Sequence, residues 1–427
     1  MRSIPREVFF RRLTSMNGST EARSRFCSTV CRGGLLAVMG LVLLGGPARA
    51  ERLELQEGDH ICIIGGGVAD AMQHTGWLET FLQARFPEHR LVFRCLAYEG
   101  DEIDPSKRLR SADFGSPDQW LSGSAPIPRP KDIADKSAVR ANRFELTGTR
   151  ADVVFAFFGS NEAHAGPEGL AAFEGEVEKF VRHTLSQKYN GMAAPKLVMF
   201  SPIAHENLDR PHWPDGQAHN ANIRLYTQSL EKVCQRLAKE GLAVESVDLF
   251  TPTLEAYEKT KEHLTTDGIH PNERGDRVIS RIIDEALFGA QPKVDERSLG
   301  RLREAVVDKN WHWFHRYRVT DGYSTYGGRA WLKFINKQTN YEVVQRELEY
   351  LDVQTANRDR RIWATAATLG DPAAALPAVE DVGLPELISV TTNKPGKLEG
   401  GKHAFLSGEE AISKMTVHPG MKVELVA

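Results

Sequence analysis

The chain has 427 residues, of which 41% are hydrophobic and 26% are charged, an ordinary composition for a globular protein with enough chain to bury a core. The formal net charge is −3, but residues 1–50 carry eight Arg and two Glu, a charge of +6, so the remainder carries −9. A mildly acidic body offers no basic stripe for phosphates, which argues against a nucleic-acid partner.

The N-terminal segment combines the parts of a secretory signal. Arg-rich sequence up to Arg32 precedes an apolar run from Leu35 to Leu44, and small residues follow up to Ala50. We therefore predict that residues 1–50 are a signal peptide and that the mature protein is exported, to the periplasm or the extracellular space. A membrane anchor is the alternative, but a run this short does not reach the roughly 20 residues that a bilayer requires. No membrane association is expected after cleavage.

Five cysteines are present, and Cys27 and Cys31 would leave with the signal. Cys62 and Cys95 fall in predicted strands, where a free, buried cysteine behaves as a small hydrophobic residue. A disulfide between them is the alternative in an oxidising compartment. Cys234 is the third that remains, and no group of Cys, His and carboxylates has the spacing of metal ligands, so neither a metal nor another cofactor is predicted.

From residue 51 to residue 290, predicted strands alternate with predicted helices. The strands cover residues 60–64, 91–96, 152–158, 196–201 and 244–249, and the helices cover about 69–86, 170–186, 220–240 and 273–287. Residues 104–148, rich in Pro, Ser and Arg, are predicted mostly as loop. Apolar strands alternating with helices predict a parallel sheet of about five strands between two helical layers, a three-layer α/β sandwich. In such a fold the functional site lies at the carboxyl ends of the strands.

The pattern changes after residue 290. Residues 291–366 are predicted as a helical extension, with helices over about 294–309 and 339–364 and an aromatic-rich stretch between them at 311–326. The aromatic side chains are expected to form a packing seam between helices and sheet, and the alternative is that they roof a cleft.

The C-terminal part of the chain differs again. Residues 367–402 are rich in Pro, Gly and Ala and are predicted as a linker. Residues 403–427 are predicted as the start of a further, truncated domain, with a short helix at 409–416 and an alternating strand at 421–426. This strand has no evident partner in the sequence.

The strongest chemical motif is Asp267-Gly-Ile-His270-Pro-Asn272, directly before the last predicted helix of the α/β region. An Asp three residues before a His lets the carboxylate accept a hydrogen bond from one imidazole nitrogen and leaves the other nitrogen as a base. Asp267 and His270 are therefore candidate catalytic residues. The alternative is a turn in which Asp267 caps the helix and His270 only packs.

Two further motifs follow predicted strands. Asn161 could aim its side-chain amide at a developing oxyanion, and Gly100 could let a backbone N–H approach the same oxyanion. Turn formation alone is the alternative for both. His205 and Glu206, which follow another strand, are predicted to line the cleft.

The fourth motif is a tight strand-to-helix turn, the glycine run that ends at Gly67. The order and spacing of the four motifs resemble the SGNH (GDSL-like) hydrolase family, in particular the serine-poor modules of large exported bacterial proteins. The resemblance covers about residues 55–288. It implies a flavodoxin-like fold and hydrolysis of acyl esters, with carbohydrate esters as one substrate class. The implied acid, base and oxyanion donors are, in order, Asp267, His270, Gly100 and Asn161.

The chain departs from this family at Gly67, which stands where the family has its nucleophilic serine. Without a hydroxyl the acyl-enzyme route is closed. Glu162 replaces an Asp that is customary after Asn161. Glu99 stands where a small residue is common, and its carboxylate would add negative charge beside the oxyanion pocket.

Three functions remain open from the sequence. The first, which we predict, is hydrolysis of a small-molecule or carbohydrate ester with another nucleophile, either a water activated by His270 or the hydroxyl of Ser160. The second is a non-catalytic pseudo-hydrolase that binds an acylated glycan or a partner domain. The third is nucleotide binding, because Gly65-x-Gly67-x-x-Asp70 is a partial dinucleotide fingerprint that lacks its third glycine. The sequence does not determine the oligomeric state.

Overall fold

The computed structural model describes residues 53–108, 116–123, 125–126, 143–144, 148–318, 325, 328–333, 337–390 and 396–426. These residues belong to one compact unit that extends from Ala50 to Ala427. The predicted signal peptide and much of the loop predicted at 104–148 lie outside the described residues. Every described helix is too short or too polar to be a bilayer-spanning segment.

Strands and helices alternate along the described chain. The strands are β1 (His60–Gly65), β2 (Val92–Cys95), β3 (Ala125–Pro126), β4 (Arg143–Phe144), β5 (Val153–Phe157), β6 (Lys196–Phe200) and β7 (Val244–Val247). The helices are α1 (Gly67–Thr75), α2 (Trp77–Arg85), α3 (Pro117–Ser122), α4 (Leu170–Ser186), α5 (Gln217–Lys239), α6 (Phe250–Lys259), α7 (Glu273–Phe288), α8 (Glu296–Tyr317), α9 (Asn340–Ala366) and α10 (Gly408–Ser413).

Five of the strands form one parallel sheet in the order β2-β1-β5-β6-β7. In this sheet Ile61 of β1 pairs with Phe93 on one side and with Val153 on the other. The order is that of flavodoxin-like folds, in which the chain reverses direction across the sheet next to the first strand and ligands bind there, at the carboxyl ends. The predicted α/β class and the parallel five-stranded sheet are confirmed.

The side chains of β1 alternate between two buried layers, as the period of two in a strand requires. Ile61 and Ile63 belong to a core that includes apolar residues of α1, α2 and α7. Cys62 and Ile64 belong to a second core that includes apolar residues of α4 and α5. The sheet is therefore covered on both faces, which confirms the three-layer sandwich.

Cys62, Cys95 and Cys234 are free thiols and all three are buried. Cys95 pairs with Ile63, so Cys95 and Cys62 project from opposite faces of the sheet and belong to different cores. A disulfide between them would require side chains that point toward each other. Burial raises the pKa of the Cys95 thiol to about 12, so this thiol stays protonated and inert.

Two of the observed helices differ from the prediction. The single helix predicted at 69–86 is two helices, because Gly76 adopts a φ of +74°, ends α1 and separates it from α2. Glycine accepts this left-handed conformation at little cost. The helix α6 lies where no helix is predicted, and Pro252 in its first turn, a position that proline tolerates, reads in the sequence as a loop signal.

The strand predicted at 421–426 is not formed. The described residues from 396 to 426 contain no strand, and Phe405 and Val426 are 92% and 89% exposed. A strand needs a partner to pair its main-chain N–H and C=O groups, and this segment has none among the described residues. An alternating pattern alone is therefore not sufficient to form a strand in this segment.

The helices α8 and α9 pack on each other, and α8 also covers the edge strand β2. Side chains of α8 donate hydrogen bonds to main-chain carbonyls of β2 and the residue after it: Lys309 to Phe93 (3.1 Å), Trp313 to Cys95 (2.6 Å) and Tyr317 to Leu96 (2.6 Å). An uncovered edge strand is a template for pairing with other chains. The helical extension therefore protects this edge of the sheet.

Buried ion pairs connect the same helices to the α/β region. Arg94 of β2 donates to Asp359 of α9, with side chains 2% and 6% exposed. Lys309 of α8 contacts Glu79 of α2 at 2.7 Å, with side chains 1% and 6% exposed. A buried charge without a partner costs several kcal/mol, so these pairs hold the helices in one position on the sheet.

Candidate active site

The loops that follow β1 and β2 lie side by side at the carboxyl edge of the sheet, next to the end of β5. Tyr98 N donates to Gly65 O at 3.0 Å, and Gly66 N donates to Phe157 O at 3.2 Å. These bonds join the glycine-rich turn after β1 to the loop after β2 on one side and to β5 on the other. Three of the four sequence motifs therefore meet at the predicted edge.

The carboxylate of Glu162 ties two of these loops together. Its Oε1 atom accepts from Ile103 N at 2.8 Å, and its Oε2 atom accepts from Gly159 N at 2.9 Å. Burial raises the pKa of Glu162, although the backbone hydrogen bonds that it accepts act in the opposite direction. Glu162 therefore holds the loop of Asn161 against the loop that follows Gly100.

Gly100 and Asn161 themselves lie at turns in these loops. Gly100 has a φ of +84°, which side-chain-bearing residues rarely adopt, and Asp101 N closes the turn on Tyr98 O at 3.0 Å. Asn161 is exposed and precedes a 3₁₀ segment, Glu162–Gly169, whose first turn its side chain does not cap. Hydrogen bonds made by neighbouring residues place Gly100 and Asn161 at this edge of the sheet. The role of Gly100 and Asn161 as oxyanion donors stays a prediction.

Asp267 and His270 form a close pair. His270 Nδ1 lies 2.6 Å from Asp267 Oδ2, and Asp267 Oδ1 accepts from the main-chain N–H groups of Ile269 and His270 at 3.1 and 2.8 Å. Burial opposes the charged form of Asp267, but the hydrogen bonds from His270 and the main chain outweigh burial and hold the pKa of this carboxyl below its ordinary value. The carboxylate therefore orients the imidazole and leaves Nε2 directed away from it.

The turn that carries this pair is anchored by Glu206, a role that sequence analysis missed. Glu206 is buried, and its carboxylate accepts from the N–H groups of Leu264 and Thr265 and from the Thr265 hydroxyl, at 2.6 to 3.1 Å. The prediction that Glu206 lines the cleft is therefore wrong. The only sequence signal was an acidic residue in the loop that follows a buried strand.

Asp267 does not cap the following helix, which was the alternative role considered for it in the sequence. Asn272 is the N-cap of α7, and its side chain accepts from Gly275 N at 3.0 Å. Asp267 is therefore free of capping and directs both carboxylate oxygens to its own turn and to the imidazole of His270.

Position 67 faces His270. A Cβ atom built on Gly67 would lie 3.3 Å from His270 Nε2 and 3.7 Å from Glu99 Cγ. Gly67 is the first residue of α1 and has no left-handed φ, so its backbone does not require glycine. By contrast, Gly65 has a φ of +135° and lies against the Phe157 carbonyl, where a side chain cannot fit. The glycine at 67 is therefore a chemical difference and not a conformational necessity.

Glu99 contacts His270, and sequence analysis did not predict this contact. Its Oε1 atom lies 3.1 Å from His270 Nε2, and its side chain is 65% exposed, whereas that of His270 is 37% exposed. The carboxylate was expected to add charge beside an oxyanion pocket, which stays a prediction, and in the structure it contacts the candidate base directly. The imidazole of His270 thus lies between two carboxylates, those of Asp267 and Glu99.

Three further histidines lie behind the Asp267 turn. His205 Nδ1 is 3.1 Å from His219 Nδ1, and the rings of His164 and His219 stack with centroids 4.6 Å apart. Burial, followed by the charges of His164 and His205, lowers the pKa of His219 to about 4, so this ring is neutral at pH 7. Among the described residues no group of three or more His, Cys, Asp or Glu side chains has the arrangement of a metal site.

The fold and the motif order are those of one family. The family model described as GDSL-like Lipase/Acylhydrolase family matches residues 58–278, more than half of the chain. The chain belongs to this family, which is the one that the sequence motifs resemble. A comparison with curated proteins found no match.

Several solved structures are similar to this chain. BT4096, a gut microbial diltiazem-metabolizing enzyme, is 15% identical with a TM-score of 0.37, and the match covers 56% of this chain and 49% of that chain, about half of its length. A protein described as a GDSL-like lipase from Parabacteroides merdae ATCC 43184 is 13% identical with a TM-score of 0.38, covering 56% and 100% of the two chains. The acetyl xylan esterase AlAXEase is 18% identical with a TM-score of 0.34, covering 53% and 100%.

Proposed function

We propose that this protein hydrolyses acyl esters, with carbohydrate esters as the favoured substrate class, and that a water molecule replaces the serine hydroxyl of its family. The observation that carries the proposal is the Asp267–His270 pair, whose Nε2 atom would lie 3.3 Å from a Cβ at position 67, so that the imidazole borders the space in which a water can meet an ester carbonyl and can transfer a proton there. Gly67 supplies no hydroxyl, so an acyl-enzyme cannot form there.

Direct attack by water suits the space at this position. Replacing a serine by glycine removes a Cβ and a hydroxyl, and Gly67 is half-buried rather than sealed from solvent. A water in this space would be within reach of the imidazole and of the ester carbonyl. Gly100 and Asn161 are the residues that we expect to stabilise the oxyanion formed by the attack. No metal or other cofactor is required by this route.

Esterase activity is tested by the release of p-nitrophenol from p-nitrophenyl acetate and of acetate from acetylated xylo-oligosaccharides. We expect slow hydrolysis by the unaltered protein and a rate at least about 100-fold lower for His270→Ala, the contribution typical of a general acid or base. Identical rates for the two proteins would refute the proposal. Stabilisation by an acylated glycan in a thermal-shift assay, without turnover, would instead support the non-catalytic alternative.

We also propose that the protein acts outside the cytoplasm. The support is the sequence of residues 1–50, a basic region followed by a short apolar run and small residues up to Ala50. Mass spectrometry of the exported protein should find an N-terminus at residue 51. An unprocessed N-terminus in the cytoplasmic fraction would contradict this localisation.

A further inference from the structure

The contacts of His270 differ from those of a serine-activating histidine. Ionised carboxylates only accept hydrogen bonds, and carboxylates face both ring nitrogens: Asp267 at 2.6 Å from Nδ1 and Glu99 at 3.1 Å from Nε2. A neutral imidazole has a single N–H, which Asp267 already takes. The contact between Nε2 and the Glu99 carboxylate is therefore favourable only when Nε2 carries a second proton, because a bare ring nitrogen and an ionised carboxylate are both acceptors.

A histidine in this state is not prepared to act as a base toward position 67. A general base needs a bare nitrogen to accept the proton of the nucleophile, and Nε2 is occupied by its contact with Glu99. The same nitrogen is well prepared to donate its proton to a leaving group. The group with an open acceptor is the Glu99 carboxylate, whose side chain is 65% exposed.

The position of Glu99 is compatible with the role of a base. Its Cγ atom would lie 3.7 Å from a Cβ at Gly67, so its carboxylate borders the space left by the absent serine. Its loop is also held in place: the Arg318 guanidinium lies 3.7 Å from the ring centroid of the adjacent Tyr98 and donates to Asp70 of α1 at 3.0 Å. The loop that carries Glu99 and the helix that begins at Gly67 are thus connected.

We propose that Glu99 is the general base and His270 the general acid of the ester hydrolysis, an assignment that rests on the function proposed above. A water gives one proton to the Glu99 carboxylate as its oxygen bonds to the ester carbonyl carbon. When the tetrahedral intermediate collapses, the bond from this carbon to the alcohol oxygen breaks, and that oxygen takes the proton from His270 Nε2. The proton on Glu99 then returns to Nε2. One water is consumed, and a carboxylic acid and an alcohol leave.

Asp267 keeps the Nδ1 proton throughout and is a positioning residue in this scheme. Two titratable groups in different environments thus divide the acid and base roles, a division known from other hydrolases. Glu99 is therefore expected to be needed only while residue 67 is glycine. Once a serine hydroxyl stands at 67, the hydroxyl needs a bare Nε2, and the same carboxylate competes for that nitrogen.

The test is the effect of Glu99→Ala in two backgrounds, the unaltered chain and Gly67→Ser. We expect Glu99→Ala to lower kcat/KM for p-nitrophenyl acetate about 100-fold in the unaltered chain, as loss of a general base does. In the Gly67→Ser background we expect the same substitution to raise the rate about 100-fold, the lower end of what a restored general base contributes. Glu102→Ala is the matched control, because Glu102 lies in the same loop but pairs with Lys107 at 2.7 Å.

Each outcome decides between roles. An unchanged rate for Glu99→Ala in the unaltered chain, while His270→Ala loses activity, overturns the assignment to Glu99 and leaves the proposed function in place. Loss of rate in both backgrounds also overturns it, because Glu99 would then serve substrate binding or loop structure. No ester hydrolysis by the unaltered chain overturns the proposed function and this assignment together. Thermal melting of each variant shows whether it is folded, and the exposed Glu99 side chain makes unfolding an unexpected result.

Discussion

His270 Nε2 lies 3.1 Å from the carboxylate of Glu99. In the family that the chain belongs to, the resemblance implies a serine hydroxyl on this nitrogen, a group that donates a hydrogen bond. Here the partner is a group that only accepts when it is ionised. The site therefore differs from the family in the partners of the imidazole as well as in its nucleophile, because carboxylates contact both ring nitrogens.

Gly67→Ser should create a nucleophile that the unaltered chain lacks. The new Cβ would lie 3.3 Å from His270 Nε2, a tight contact that a shift of the imidazole by a few tenths of an ångström relieves. We expect a fluorophosphonate probe to label this variant at residue 67, as detected by peptide mass spectrometry. Labelling of the unaltered chain at Ser160 would contradict the proposal that water is the nucleophile.

Asp267→Asn should reduce ester hydrolysis by about 100-fold or more, because the asparagine no longer stabilises the charge and tautomer of His270. Stability should respond to pH as well. The pKa of Asp267 in the folded state is lower than its ordinary value, so its contribution to folding is present above about pH 4 and is lost as the pH falls through the folded-state pKa. Urea unfolding at several pH values should therefore show that the free energies of unfolding of the two proteins become more similar as the pH falls. If the difference in free energy of unfolding grew in acid instead, the pKa of Asp267 would be raised in the folded state and not lowered.

The titration of Asp276 should change stability in the opposite direction, so that stability falls as the pH rises. It is buried, it accepts from the Thr75 hydroxyl, and burial raises its pKa to about 6. The unfolded chain releases this proton near pH 4 and the folded chain near pH 6, so stability falls as the pH rises between these values. Two pKa units correspond to about 3 kcal/mol.

Asp276→Asn removes this titration. The free energy of unfolding of the variant minus that of the unaltered protein should therefore be about 2–3 kcal/mol larger at pH 7 than at pH 4. Comparing the difference at two pH values cancels the effect of the changed hydrogen bond to Thr75. A difference that does not vary with pH would mean that Asp276 titrates normally.

Asp359→Ala should destabilise the protein by about 3–5 kcal/mol in urea unfolding, because it removes the carboxylate that neutralises the buried Arg94. Glu255→Ala is the control for loss of an ion pair at the surface. Glu255 and Lys259 are 57% and 73% exposed, and their separation should leave the free energy of unfolding nearly unchanged. Equal effects of the two substitutions would mean that α9 is not held on the sheet by this pair.

The strands and the long helices follow from local sequence patterns. The helix predicted at 170–186 is observed at Leu170–Ser186, and the strand predicted at 196–201 is observed at Lys196–Phe200. Prediction failed where one residue decides the backbone, as at Gly76, or where a pattern needs a partner strand, as at 421–426. A hydrophobic period reports which face of an element is buried, but it does not report what the element packs against.

The sequence by itself determined the α/β class, the family and the Asp267–His270 pair, because alternation, motif order and a spacing of three residues are properties of neighbouring positions. Only the tertiary structure decided that Glu99 contacts His270, that Glu206 anchors the turn, and that α8 covers the edge of the sheet. These contacts join residues that are tens to hundreds of positions apart. No local pattern encodes such distances, because they result from the packing of the whole chain into one sheet and its two helical layers.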